Sequence, residues 1–234
     1  MKITVSKENY LKAIAEAGAG GEPVIAATLA RWLHVSAPAV TMAIRRLKRD
    51  ACITVSREGH IALTPEGRKI SDRILRRHHL IERMLVEIFG MEWFKVHDEA
   101  ERLEHAVSED FERLLRRKLG DGQPCAHGNT AEVATPDERR GRGWLPLADA
   151  PAGGEVHVVS VYERDRKLLE YLDQLGIRPG AALLVRGVNY DDTVTLRIAG
   201  QDVQLGRSAA ARIWVKTNGA GGCDGRLNLA VMRE

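Results

Sequence analysis

The segment His97-Asp98-Glu99-Ala100-Glu101-Arg102-Leu103-Glu104-His105 concentrates imidazoles and carboxylates at helical spacing. At about 100° of rotation per residue, His97, Glu101, Glu104 and His105 fall within an arc of about 100°, beside an apolar stripe of Val96, Ala100 and Leu103. Upstream, His78 and Glu82 stand at i, i+4, and His78 shares the stripe of Ile74, Ile81 and Leu85, which should face the same interior. Any one of these side chains alone would be an ordinary half-buried histidine or a solvated glutamate. Two helices that both carry His and Glu at ligand spacing on their inner sides are another matter, because unpaired buried carboxylates are costly. A cation is therefore expected between them. Nitrogen and oxygen donors without a thiolate suit divalent manganese, iron, cobalt, nickel or zinc, and do not suit calcium or a structural four-cysteine zinc site.

These residues need helices to position them. The apolar pattern Ile70, Ile74, Ile81, Leu85, Ile88 predicts a long helix that starts at Thr64-Pro65-Glu66 and ends before Gly90. A second is expected from Lys95 to a break at Ser108, and a third from there to Gly120. Before them, Ser6 can cap a first helix carrying Tyr10, Leu11, Ile14 and Ala17, and Pro23 opens a short helix to Leu33. After the turn His34-Val35-Ser36, a helix from Ala37 to Asp50 turns Val40, Ile44 and Leu47 inward. Ser36, Pro38, Thr41, Met42, Arg45, Arg46 and Arg49 are left at its start and on its outer face. Two short helices joined by a tight turn, followed by strands Ile53–Ser56 and Ile61–Leu63, predict a winged helix-turn-helix. The outer face of its second helix is the candidate DNA-reading surface.

Residues 121–153, rich in Gly, Pro and Asp, read as a linker. Short strands at Glu155–Val161, Ala182–Val188, Thr193–Ile198, Gln201–Leu205 and Ala211–Val215, with a helix at Lys167–Leu175, predict a small barrel. The fold class is α+β, divided into residues 1–64, 65–120, the linker 121–153, 154–217 and a tail 218–234 without stable structure.

Composition agrees with a nucleic-acid partner. The 234 residues carry 35 Lys+Arg and 32 Asp+Glu. The first 78 hold 14 of those bases against 7 acids, whereas the remainder holds 21 against 25. A local basic excess is the footprint of a polyanion binder. No apolar run is long enough for a bilayer span, and the N-terminus has no signal-peptide core. Cys52, Cys125 and Cys223 form neither a disulfide framework nor a CxxC zinc site. A cytoplasmic protein without membrane association is expected. Cys125 and His127 lie two apart in the expected loop with no third partner, which argues against a nucleophilic dyad. There is no HExxH, Walker loop or GxSxG, so an enzyme is not expected.

The segments Glu8–Ile14, Arg76–Leu85 and Lys95–His105, with Cys125-Ala126-His127-Gly128-Asn129, resemble the diphtheria toxin repressor and manganese transport regulator family over roughly residues 7–217. The resemblance implies a metal-activated repressor that binds a palindromic double-stranded operator as a homodimer, with a helical dimerisation domain, a C-terminal SH3-like barrel and no small-molecule substrate. It also implies a primary metal site at Asn9, Glu101, Glu104 and His105. An ancillary site would use His78, Glu82 and His97, closed by Glu163 or Asp165 from the barrel, and Ser36 and Pro38 would contact thymine methyls. The position of Asn9 is Met in iron-type members and Asp in manganese-type members. That of Glu101 is Cys or acidic respectively, which tilts the expected co-repressor to Mn2+, with Fe2+ the alternative. The reading from another class is a carboxylate–histidine metalloenzyme with an accessory winged domain. It would need an open coordination position, whereas a sensor needs its metal to touch the DNA-binding element.

Overall fold

The structure, a computed structural model, describes residues 4–217, so the expected unstructured tail and Cys223 lie outside the described residues. Three helices and a hairpin come first: α1 Val5–Ala19, α2 Ala26–Leu33, α3 Ala37–Arg49, β1 Ile53–Val55 and β2 Ile61–Leu63. Thr4, not Ser6, caps α1: its backbone is extended and its hydroxyl accepts from Lys7 N. The second helix starts two residues later than Pro23 suggested, because the Val24 carbonyl is taken by Ile61 N at 2.8 Å, tying the chain to the hairpin. His34, in the left-handed region at φ 52°, ends α2. Leu11, Ile14, Leu29, Trp32, Val40, Leu47, Ile53 and Ile61 form one core.

Helix α4, Pro65–Glu87, leaves this unit under a Thr64 cap that accepts from Gly67 N. A side chain at Gly67 would put its Cβ 1.9 Å from the Cys52 carbonyl oxygen, so only glycine lets α4 lie against the hairpin. Next come α5 Val96–Leu103 and α6 Glu109–Leu119, the latter capped by Ser108. Helix α5 stops well short of Ser108. Glu104 is its C-cap and Ala106 N turns back to Leu103 O, so His105 lies past the helical register that the sequence pattern assumed.

The stretch read as a linker is substantially folded. It holds α7 Pro136–Gly141, closed by a Thr135/Glu138 capping box, then β3 Trp144–Pro146 and a 3-10 turn Leu147–Asp149. The remaining elements are β4 Glu155–Val161, α8 Arg166–Gln174, β5 Ala182–Val188, β6 Thr193–Ile198, β7 Gln201–Gly206, α9 Arg207–Ala210 and β8 Ile213–Thr217. The last strand begins two residues late because α9 and its C-cap Ala211 occupy the positions before it. The six strands form one antiparallel sheet, in the order β3-β8-β4-β5-β6-β7. Register shifts at Val158/Ser160 and Val185/Gly187 kink it around Leu169, Leu172, Ile177, Leu183, Leu196 and Val215. Trp93, from the loop before α5, is buried in this same core and donates to Asp173, fastening the sheet unit to the helices.

Candidate metal centre

Glu82, on the second turn from the end of α4, is fully buried. Its Oε1 is met by three imidazole nitrogens: His78 Nε2 at 3.0 Å, His97 Nδ1 at 3.3 Å and His127 Nδ1 at 3.3 Å. Helical spacing explains His78, one turn earlier on the same face, and α5 carries His97 across from it. Glu163, just past β4, brings a second carboxylate. Its Oε1 stands 3.8 Å from His79 Nε2 and 4.0 Å from His97 Nδ1, and its Oε2 3.7 Å from both His127 Nδ1 and Cys125 Sγ.

The segment carrying Cys125 and His127 owes its place to backbone chemistry. Cys125 and Asn129 close a turn through Cys125 N to Asn129 O, and the His127 carbonyl accepts from Val161 N at the end of β4. Gly128 between them has φ +80°, and a Cβ there would stand 2.0 Å from Val159 O. Asn129 Nδ2 donates to Val161 O and, at 2.6 Å, to Glu163 Oε2. His127 Nε2 donates to the Trp93 carbonyl at 2.9 Å, which turns Nδ1 toward the two carboxylates, where it donates to Glu82 while protonated and would ligate a cation that displaces that proton. That is how a protein fixes the tautomer and orientation of a metal-binding histidine.

The cluster fits a divalent cation. Among the described residues, Glu82 Oε2 and both ring nitrogens of His79 are buried without a hydrogen-bond partner, each a loss of about 1–3 kcal/mol. One ligand atom from each of His79, Glu82, Cys125 and Glu163 lies within 4.8 Å of the others, and the same holds for His78, Glu82 and His97. Both groups share Glu82. The group His78, Glu82, His97 is the expected thiolate-free one, whereas the other adds the thiol of Cys125, with His127 beside it, to the nitrogen and oxygen donors. Electrostatics run the same way. Burial acts to raise the Glu82 pKa, but His127 and His78 outweigh it and hold the carboxyl well below its ordinary range. Burial, with Glu82 and Glu163, pushes the Cys125 thiol well above its own, so a cation must displace that proton to gain a thiolate.

Asp165 plays no part in the cluster: it caps α8, accepting from Leu168 N, and pairs with Arg212. The Asn9, Glu101, Glu104, His105 set is arranged differently. His105 Nε2 meets Asn9 Oδ1 at 2.6 Å and its Nδ1 meets Glu8 Oε2 at 3.0 Å. Glu104 Oε2 accepts from Lys12 Nζ at 2.8 Å and from His78 Nδ1 at 2.6 Å. Burial acts to raise the Glu104 pKa, but these two donors draw it down to about 2. Burial and Lys12 act to lower that of His78, yet Glu82 and Glu104 bring it up to about 10. Glu101 Oε1 is held by Arg164 at 3.1 Å. Sequence reasoning missed Lys12, His79 and Arg164, whose residue types give no signal until α1, α4 and the sheet unit are packed together.

On α3, Ser36, Pro38, Thr41, Met42, Arg45, Arg46 and Arg49 are all exposed, and Met42 is half exposed although apolar. Thr41 bonds back to Ala37 O, and Arg49 pairs with Asp50. Among the described residues no helix is long and apolar enough to cross a membrane.

A helical unit with a hairpin, joined through a buried histidine, carboxylate and thiol cluster to a six-stranded sheet, has the arrangement of a metal-binding protein. Residues 64–131 match the family described as iron dependent repressor, metal binding and dimerisation domain, and residues 145–217 match the FeoA domain. The diphtheria toxin repressor of Corynebacterium efficiens is 31% identical over 207 residues, covering 85% of this chain and 89% of that one. The iron-dependent repressor IdeR of Mycobacterium tuberculosis is 32% identical over 195 residues, covering 79% and 85%. Among solved structures, a manganese-dependent transcriptional repressor in complex with manganese superposes with a TM-score of 0.80 at 31% identity, covering 90% of this chain and 99% of that one. ScaR with bound Zn2+ gives 0.75 at 30%, covering 90% and 98%. The chain belongs to the diphtheria toxin repressor and manganese transport regulator family.

Proposed function

We propose that the chain is a metal-dependent transcriptional repressor whose homodimer binds a palindromic DNA operator when Mn2+, or alternatively Fe2+, fills the cluster around Glu82. The carrying observation is that Glu163 and Arg164 are neighbours with different tasks. Glu163 faces His79, His97, Cys125 and His127. Arg164 reaches the DNA-binding unit: its Nη1 donates to Glu16 of α1 at 2.8 Å, and its guanidinium lies 4.8 Å over the Trp32 ring of α2.

Bound at this cluster, a divalent cation supplies the positive charge that lets Glu82, Glu163 and the Cys125 thiolate stay together in a buried space. Glu82 belongs to α4, Cys125 and His127 to the folded linker, and Glu163 to the sheet unit. Holding them together fixes the sheet unit on the helices, and Arg164 then holds α1 and α2 in one placement. The effect is a population shift toward the binding-competent arrangement. Helix α3 reads the major groove through Ser36, Pro38, Thr41 and Met42, while Arg45, Arg46 and Arg49 meet phosphates. The dimer uses the exposed apolar Ile88, Phe89, Phe111 and Leu114 of the helical segment and presents two α3 helices about 34 Å apart, one turn of DNA. The buried ligand set, tied to α1 and α2 through Arg164, favours a sensor over a metalloenzyme.

Duplexes selected from a random pool with and without Mn2+ test this reading. Enrichment of an inverted repeat only with metal is expected. Enrichment of nothing, or of the same sequences with chelator present, would overturn it.

A further inference from the structure

Lys12 is the unexpected residue of the helical interior. It lies on α1, is 3% exposed, and its Nζ is enclosed by Glu104 Oε2 at 2.8 Å, His78 Nδ1 at 2.9 Å, Glu101 Oε1 at 3.8 Å and Glu16 Oε1 at 4.0 Å. Three carboxylates around one point are what a divalent cation would select, and here a lysine occupies that point. We propose that the Lys12 ammonium is a built-in cation standing in for a second metal, so that Asn9, Glu101, Glu104 and His105 form a metal-free anchor and each protomer binds one metal ion, at the Glu82 cluster. The inference deepens the metal-sensor reading and rests on it.

Two contrasts carry it. The first is satisfaction of polar groups. Around Glu82, buried atoms of Glu82 and His79 lack partners. Around Lys12, Glu16 Oε1 is without a hydrogen bond, but its Oε2 is held by Arg164, Glu104 has two donors, both ring nitrogens of His105 have partners on α1, and Glu101 has Arg164. The second is convergence. Among the described residues, Glu101, Glu104 and His105 do not bring ligand atoms together as the two groups around Glu82 do. A metal at Glu104 would stand within about 3–4 Å of the ammonium, and two cations so close repel strongly in a buried setting. Metal binding there would therefore require the Lys12 ammonium to leave its bond with Glu104.

The consequence is an asymmetry in how the repressor is controlled. Helix α1 is fastened to α4 and α5 by a permanent charge, and only the attachment of the sheet unit responds to metal.

The test counts bound Mn2+ in the full-length dimer by equilibrium dialysis with elemental analysis, with the Mn2+ EPR signal as a second readout. Wild type is expected to hold one ion per protomer. Lys12→Met, which keeps the stem and removes the charge, is expected to hold two, with a melting temperature that rises on Mn2+ addition more than that of wild type. Two ions in wild type would overturn the proposal whatever the variant does. A folded Lys12→Met that still holds one would also overturn it, since the ammonium would not be what excludes the metal. No bound ion in either protein would overturn the sensor reading together with the proposal. Should Lys12→Met not fold, Lys12→Gln, which retains a donor near Glu104, is counted in its place.

Discussion

Arg164→Ala severs the link between metal cluster and DNA-binding unit without touching a metal ligand. The side chain is 20% exposed and its guanidinium serves three partners. The bond to Glu16, whose side chain is 9% exposed, is charge-assisted and worth about 1.5–3 kcal/mol. The bond to Glu101, 40% exposed, is discounted by solvent to about 0–1 kcal/mol. The stacking on Trp32 adds about 0.5–1 kcal/mol. The sum is about 2–5 kcal/mol, and its lower end corresponds to about a thirtyfold loss. Fluorescence anisotropy with a selected operator at saturating Mn2+ should therefore show a dissociation constant raised at least about thirtyfold. The salt dependence should stay unchanged, because no phosphate contact is removed. Calorimetric Mn2+ affinity of the DNA-free variant should stay within about threefold of wild type. Operator binding within about threefold of wild type would refute the coupling role. So would an equally large loss of metal affinity in the DNA-free protein, which would make Arg164 a support of the metal cluster.

Glu82→Gln, isosteric but neutral, should lower metal affinity more than about a hundredfold and also lower the melting temperature of the metal-free protein, because His78 and His127 lose their buried carboxylate, checked by calorimetry and thermal denaturation. Gly128→Ala combines a positive φ with a Cβ 2.0 Å from Val159 O, so it should cost about 1–3 kcal/mol of stability and weaken metal binding through displacement of Cys125 and His127. An unchanged melting curve would show that the loop accommodates a methyl group. Arg46→Ala should weaken binding to all duplexes and reduce the salt slope by about one, read from anisotropy at several salt concentrations.

Much of this architecture was legible because local signals and packing agree. Periodicity placed α4 from its Thr64-Pro65 start, the apolar faces of α1 and α3, and most strands of the sheet. Boundaries failed where a long-range contact competes with a local one. Val24 stays outside α2, where Ile61 takes its carbonyl, and α5 ends early, which carries His105 out of the helical arc toward Asn9 and Glu8. The linker misled by composition: its glycines and prolines mark sharp turns in an ordered segment, and Gly128 is a requirement of close packing. Within the site, His78, Glu82 and His97 follow from helical spacing. Cys125 and His127 do not, since their partners Glu82 and Glu163 are distant in sequence, although Cys-x-His before Gly-Asn was the available signal. Lys12 was invisible for a different reason. A lysine on α1 is ordinarily solvated, and only the packing of α1 against α4 and α5 buries it among carboxylates.

The most direct measurement is operator binding titrated with Mn2+ in wild type and in Glu163→Gln, with bound metal counted in the same samples. Wild type is expected to bind DNA in step with the first equivalent of metal per protomer and to release it on chelation. Glu163→Gln is expected to lose metal and operator affinity together, as linkage requires. Contradiction would be operator binding that ignores metal, or a Glu163→Gln protein whose metal-dependent DNA binding matches wild type.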